Sequence, residues 1–381
     1  MPNFDIRKYP QARFITPLIS LGVLTYCSWV YIDRFCVRQL LRGHYYTHSR
    51  AIAIVLISIY STLTAVLLLV WFRVLLVGPG RQPRIPAYQL LDIPTSEELS
   101  IPPPPIYQCD PNGYPIWCPV CNSVKALRSH HSSMTGHCVP RFDHYCSWLG
   151  SVIGRANYGF FMQFLLYALM MCIVVIVTVV VCYLRMWNQT GRARDGNMIA
   201  LIVIACFVFL FVLSLFVTHL YYIGKNQTSL EVMIVKANSK RRKKKGSSHQ
   251  VRGGVFVCFR DNDVQERYVI EISKGDFNKF WNKGTMWANF RDMLGQNILT
   301  WFLPLFDNGG SGVCQNDIER GEDLSSKEGV EGSVNFLSTQ RDILGPLYEE
   351  INEESIQRLK LMIKQGNYVR KVDVYADRVM E

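Results

Sequence analysis

The run YGFFMQFLLYALMMCIVVIVTVVVCYL, from Tyr158 to Leu184, contains no Asp, Glu, Lys or Arg. At ~1.5 Å per helical residue it exceeds the ~30 Å hydrocarbon core of a bilayer, so it reads as a membrane-spanning helix with tilt or protrusion to spare. Three more charge-free apolar runs share this character: Phe14 to Ile32, Ala51 to Phe72 and Met198 to Gly224. The chain is therefore expected to be an all-α polytopic membrane protein with four transmembrane helices. The hydrophilic stretch between helices 2 and 3 must lie outside the bilayer.

Composition agrees with this mosaic. Over 381 residues the chain is 49% hydrophobic and 19% charged, which excludes disorder throughout. Its formal charge of +11 would suit nucleic acid or an anionic membrane surface, and the apolar runs select the membrane, with no nucleic-acid partner expected. Twelve cysteines are too sparse for a disulfide scaffold. A secretory signal is not expected at the first run, which is too long, holds Trp29 and two tyrosines near its far end, and lacks a small-residue cleavage site before Asp33. None of the runs carries an Asp, Glu, Lys or Arg of the sort that marks an ion or solute path, so a transporter is disfavoured.

Four spans put both termini and the central loop on one side. Lys236 and the block Lys240 to Lys245 after span four argue that this side is cytosolic, whereas Arg34, Arg38, Arg42 and Arg50 between spans one and two argue the reverse. The expected organisation is a cytosolic arm over 1–13, helices 1 and 2 over 14–77, a cytosolic cysteine-rich catalytic unit over 78–157, and helices 3 and 4 over 158–224. A cytosolic region over 225–306 carries the basic block, and a polar tail fills 307–381.

Within these regions Gly78-Pro79-Gly80 stops the second helix and Pro102 to Pro105 makes an extended linker. Val255 to Phe259 and Tyr268 to Ile272 read as a hairpin. Trp287, Phe290, Leu294, Ile298 and Trp301 recur at helical spacing and predict an amphipathic face resting on the membrane, while a short helix is expected around Ile356 to Ile363. His219 falls near the end of span four, where an interfacial position is expected.

The chemistry is concentrated between Cys118 and Cys146. Cys118-Pro-Val-Cys121 is a metal knuckle by spacing, since two thiolates two residues apart can point at one tetrahedral zinc ion. His131 and Cys138 are the nearest suitable completing ligands, and spacing alone leaves His130 and His137 open. Asp143-His144-Tyr145-Cys146 sets an acid, an imidazole and a thiol within four residues. Such a set can raise the reactive thiolate fraction near neutral pH or supply another metal ligand.

These residues, with Trp148, Gly154 and Asn157 at the same spacing, resemble the DHHC-type protein S-acyltransferases, or palmitoyltransferases. The resemblance extends to Gly78-Pro79-Gly80 in place of Asp-Pro-Gly, to Thr228-Ser229-Leu230-Glu231 and to Trp287 through Gly295. It implies a two-step thioester exchange. Cys146 takes a long-chain acyl group, most often from palmitoyl-CoA, and passes it to a cysteine of a membrane-associated protein on the cytosolic face. His144 would act as base and Asp143 would fix its tautomer. The acyl chain would lie among the spans, where each buried CH2 contributes ~0.8 kcal/mol. Lys125, Arg128 and Arg141 are candidates for the CoA phosphates, or else contact lipid head groups or solvent.

Departures from the family pattern are themselves informative. The first of the family's two zinc sites is matched in full by Cys118, Cys121, His131 and Cys138, whereas the second holds Ser132, Thr135, Tyr145 and Val152. Loss of all four ligands implies one structural zinc, with packing and hydrogen bonds in place of the other, and makes Tyr145 a retired ligand. The Asp-His-Tyr-Cys form resembles a fungal subset of the family. Ser147 and Ala126 replace two prolines and relax the backbone. The rival reading is a zinc scaffold that binds membrane proteins without modifying them, in which Cys146 is dispensable.

Overall fold

The computed structural model describes residues 13–42, 49–87, 103–190, 195–245, 254–261, 266–304 and 351–372. Four of its helices are long and apolar enough to cross a membrane: α1 (Ile15–Leu41), α2 (Ser49–Val77), α3 (Tyr158–Thr190) and α4 (Gly196–Lys225). By length and composition they make this a multi-pass membrane protein. Their outward faces keep large apolar side chains exposed, Phe207 at 72% and Leu210 at 65%, as a lipid-facing surface requires.

Helix α1 runs past the expected end at Ile32, and its last twelve residues, Val30–Leu41, are π-helical. Asp33, Arg34 and Arg38 are thereby helical rather than part of a loop. Arg38 pairs with Asp33 at 3.0 Å, and Arg34 lies 4.0 Å from Asp195 at the start of α4. The widened turns bury Tyr31, Phe35 and Leu40 against α2 and α4.

Between α2 and α3 the chain builds β1 (Ile106–Cys109) and then three short hairpins: β2 (Trp117–Cys118) with β3 (Ser123–Val124), β4 (His130–Ser132) with β5 (His137–Val139), and β6 (His144–Cys146) with β7 (Ser151–Ile153). The entry from α2 is fixed by Gly78, whose φ of 64° ends the helix. Pro79 then packs so closely on Gly154 that a Cβ at 154 would meet the Pro79 carbonyl oxygen at 2.7 Å and Val139 at 2.6 Å. Asn157 locks the same corner, accepting from the Gly154 N–H and donating to the carbonyls of Val152 and Val74.

After α4 come α5 (Ser229–Lys245), β8 (Val255–Asp261), β9 (Glu266–Ile272), α6 (Lys274–Phe277), α7 (Met286–Leu294), α8 (Leu299–Phe302), α9 (Glu353–Lys364) and β10 (Arg370–Val372). The expected hairpin is present as β8 and β9, and a four-stranded antiparallel sheet of order β1-β8-β9-β10 forms around it. One sheet face, with Tyr107, Cys109, Cys258 and Val269, packs on Ile85 and Val124 of the hairpin unit. The other, with Val257, Phe259 and Ile270, packs on Phe277, Phe280, Trp281 and Leu359 of α9. The Pro103 and Pro104 carbonyls accept from Arg267 of β9, which ties the proline stretch down.

One expectation is revised here and another is met. The aromatic stripe is split between α7 and α8 by Gly295 at φ 96°, so Trp287 and Phe290 meet Trp301 across a corner, at ring separations of 5.2 and 6.0 Å. The helix expected near Ile356 is α9, followed by a strand that the polar composition of the C-terminal stretch concealed. The arm at 1–12, Pro102, the turn at 262–265 and most of the tail lie outside the described residues, as do the side chains of the basic block.

Candidate active site and metal cluster

Strand alternation selects the metal ligands. His131 and Cys138 are cross-strand partners in the β4–β5 hairpin, so their side chains share a face. His130 and Ser132 point to the opposite face, together with Ser132's partner His137. The β2–β3 hairpin brings Cys118 and its turn residue Cys121 against the first face. One ligand atom each from Cys118, Cys121, His131 and Cys138 lies within 4.8 Å of the others. His131 Nδ1 is 3.5 Å from Cys118 Sγ and 3.3 Å from Cys121 Sγ. Tetrahedral bonds of ~2.3 Å to sulfur and ~2.0 Å to nitrogen place such atoms about 3.6 Å apart, so this set can hold a metal ion.

The same alternation arranges the third hairpin. His144 and Cys146, two residues apart on β6, share one face, and Tyr145 between them points away beside its cross-strand partner Val152. Cys146 packs at the edge of an apolar cluster built largely from α2, α3 and α4.

Asp143, with a fully buried side chain, accepts from His144 Nδ1 at 2.6 Å. It also accepts from the Ser229 backbone N–H at 2.7 Å and the Ser229 hydroxyl at 2.9 Å. Burial alone would raise its pKa, yet the bond from His144, the charge of that ring and the Ser229 N–H outweigh it and hold the carboxyl below the usual range. For His144 burial acts to lower the value. The bonds to Asp143 and Cys146 prevail and push it up to about 9. With Nδ1 committed to Asp143, Nε2 is the nitrogen left to work on Cys146.

Ser229 is aimed by a capping box at the start of α5. Thr228 Oγ1 accepts from the Glu231 N–H at 3.2 Å, and Glu231 Oε2 accepts from the Thr228 N–H at 2.8 Å. Glu231 also takes a two-point ion pair from Arg128, at 2.7 and 3.0 Å. Asn226 ends α4 in the left-handed region at φ 51° and ties three residues together. Its Oδ1 accepts from Arg128 and Arg141, and its Nδ2 donates to Asp292 of α7. Asp292 also pairs with Arg141 at 3.0 Å. Burial would raise the pKa of Asp292, but Arg141 and Arg155 hold it down to about 2.

The seven residues singled out from the sequence thus fall into two groups, the four-ligand cluster and the Asp143-His144-Cys146 strand. Arg128 and Arg141, candidates for the CoA phosphates or else for lipid head groups or solvent, are turned into the protein instead. They are 4% and 1% exposed and bind Glu231, Asn226 and Asp292. His219, expected at the interface, is buried at 4% beside His144, with ring centroids 5.6 Å apart. Asn226, Ser229 and Asp292 were missed as site residues because each reaches the site across more than 60 positions of sequence. For Ser229 the capping-box pattern at 228–231 was the available signal. At the replaced second set, Ser132 Oγ accepts from the Met134 N–H, and the Thr135 and Tyr145 hydroxyls have no hydrogen-bond partner among the described residues. Packing of Tyr145 beside Val152 is therefore the clearer part of the expected replacement.

Residues 112–236 match the DHHC palmitoyltransferase family. Over 98% of its length the chain is 33% identical to palmitoyltransferase PFA5 of Saccharomyces cerevisiae, covering 97% of that protein. The chain belongs to the DHHC palmitoyltransferase family. It is also 37% identical to palmitoyltransferase PFA5 of Kluyveromyces lactis, over 78% of this chain and 83% of that one. With palmitoyltransferase ZDHHC15 of Rattus norvegicus it shares 30% identity over 46% of this chain and 53% of that one. Membership makes this DHHC enzyme a protein-cysteine S-palmitoyltransferase, with an acyl-CoA donor and protein acceptors at a membrane as the family implies.

Proposed function

We propose that Cys146 is the residue that carries the acyl group, with His144 as its proton acceptor and Asp143 as the anchor of His144. The observation supporting this reading is the shared β6 face of His144 and Cys146, backed by the 2.6 Å bond from His144 Nδ1 to Asp143. In the first step the Cys146 sulfur attacks the thioester carbonyl carbon of palmitoyl-CoA while its proton passes to His144. The bond to the CoA sulfur breaks, and that sulfur leaves with the proton from His144. In the second step His144 takes the proton of a substrate thiol, the new sulfur attacks the acyl-Cys146 carbonyl, and Cys146 leaves and recovers the proton.

Cys118, Cys121, His131 and Cys138 hold a single structural zinc ion on this reading. Bound zinc supplies a cross-link between the first two hairpins and takes no part in acyl transfer. Three thiolates and one imidazole suit zinc, and the Tyr145, Val152, Ser132 and Thr135 set does not. The cysteine-rich unit and both termini lie on the cytosolic side. The basic stretch after α4 supports this, and Arg34 and Arg38 lie within α1 rather than in the α1–α2 connection.

Purified enzyme given labelled palmitoyl-CoA forms a hydroxylamine-sensitive adduct that maps to the Cys146 peptide, and Cys146→Ser abolishes it. Undiminished adduct in Cys146→Ser overturns the assignment.

A further inference from the structure

His219 lies at the level of the helical bundle, 4% exposed, on the last turns of α4. A buried imidazole is costly unless its polar atoms are engaged. One side of the ring is engaged by Tyr158, the first residue of α3, whose hydroxyl is 2.8 Å from His219 Nδ1. Tyr158 is itself 1% exposed. With the phenol donating, Nδ1 is the acceptor and the ring proton sits on Nε2.

The rest of the ring faces the reacting strand. Ligand-capable atoms of His219, Asp143 and His144 lie within 4.8 Å of one another. The His219 ring is edge-on to Phe161 at 4.9 Å, and Phe161 is edge-on to His144 at 5.3 Å. His144 is thus held by Asp143 at Nδ1 and flanked by Phe161 and His219. Rotation of its ring would carry Nε2 away from Cys146.

We propose that His219, oriented by the Tyr158 hydroxyl, is a positioning residue for acyl transfer: its imidazole walls in the Asp143–His144 pair from the membrane side and keeps His144 Nε2 directed at Cys146. This rests on the reading of Cys146 as the acyl carrier. His219 touches no substrate atom in this role, so its removal acts on the rate of the chemical step and not on capture of the acyl-CoA. Small displacements of an otherwise intact reacting group are expensive, on the order of tenfold to a hundredfold in rate.

The test uses the full-length enzyme in detergent or nanodiscs, with single-turnover acylation by palmitoyl-CoA measured per monodisperse, folded molecule. His219→Ala is expected to slow formation of the Cys146 adduct by about tenfold or more while leaving the apparent KM for palmitoyl-CoA within about twofold. His219→Gln, whose amide can both accept from Tyr158 and donate on its other side, recovers much of the rate. Tyr158→Phe, which deletes one oxygen, slows the step in the same direction, and the double variant is no slower than His219→Ala alone. Should His219→Ala not fold, Tyr158→Phe and His219→Gln decide the matter. An unchanged rate in Tyr158→Phe, or a His219 variant whose loss is wholly in KM or folded yield, overturns the proposal. Cys146→Ser separates the two readings: no adduct there with a normal rate in His219→Ala overturns the role of His219 alone, whereas persistence of the adduct overturns both.

Discussion

Ser229 holds both oxygens of the Asp143 carboxylate, its backbone N–H on Oδ1 at 2.7 Å and its hydroxyl on Oδ2 at 2.9 Å. The acid behind His144 is therefore gripped by the first residue of α5, a helix that begins 86 positions further along the chain. That helix start also favours a carboxylate there, because its unpaired N–H groups carry partial positive charge.

The first prediction concerns pH. Asp143 is depressed and His144 is raised from 6.5 to about 9, so their pairing contributes stability with two opposite limits. The Asp143 contribution is present above its ordinary value of 3.8 and is lost as pH falls through its depressed folded value. The His144 contribution is complete below pH 6.5 and fades as pH rises through about 9. Asp143→Asn should cost at most about 3 kcal/mol, mainly between pH 4 and 6.5. Melting temperatures of the two proteins from pH 5 to 10 should converge at the alkaline end; a constant gap would show that the pair does not titrate in this way.

Glu231 serves both the capping box and Arg128, whose side chain is 1% exposed. Glu231→Ala removes the charge partner of a buried guanidinium and should destabilise by about 3–5 kcal/mol. Glu231→Gln retains an acceptor for the Thr228 N–H and should cost less. Thermal unfolding in the same detergent ranks the two. Adduct formation at Cys146 should fall in the same order, because Ser229 loses its orientation.

Asn289 Nδ2 donates to the Gly224 carbonyl at 2.8 Å and to Asn282 Oδ1 at 2.9 Å, and its Oδ1 accepts from the Lys283 N–H at 2.8 Å. It thus pins α7 to the end of α4, and its backbone partner there is Gly224 rather than the reacting strand. Asn289→Ala leaves buried polar groups unpaired, at about 1–3 kcal/mol each. Folded yield and melting temperature should drop; normal values for both would remove the fastening role.

Metal analysis of the purified protein should return about one zinc per chain. Cys121→Ala should release it and reduce folded yield, while Tyr145→Ala, on the opposite face of β6 from the nucleophile, should leave zinc content unchanged. Two zinc ions per chain, with the second lost in His130→Ala or His137→Ala, would overturn this count.

Much of this was legible in the sequence because its carriers are local. A span announces itself by the length of an apolar run, and Cys118 with Cys121 by spacing. The β8–β9 hairpin was readable from its two β-rich runs. What escaped was long-range or depended on direction. Whether His130 or His131 is the ligand is decided by which face of β4 each occupies, and that face is fixed only by pairing with β5. The burial of Arg128 and Arg141 depends on Asn226 and Asp292, and no local pattern distinguishes a guanidinium folded under a loop from one facing phosphate. The strand β10 lies in a polar stretch whose pairing partner, β9, is about 100 residues away.

The sheet also sets a timetable for synthesis. β1 emerges before the metal cluster, but its partner β8 lies about 150 residues downstream, beyond two membrane spans. At a translation rate of about 5–20 residues per second, the β1 edge waits roughly 8–30 s for that partner. During this interval its backbone donors and acceptors are open to other chains, and for most of it Arg128 lacks Asn226 and Glu231, which are made shortly before β8. A nascent chain halted before residue 255 would retain every ligand of the metal cluster and the whole reacting strand, yet present an unpaired β edge to the quality-control machinery.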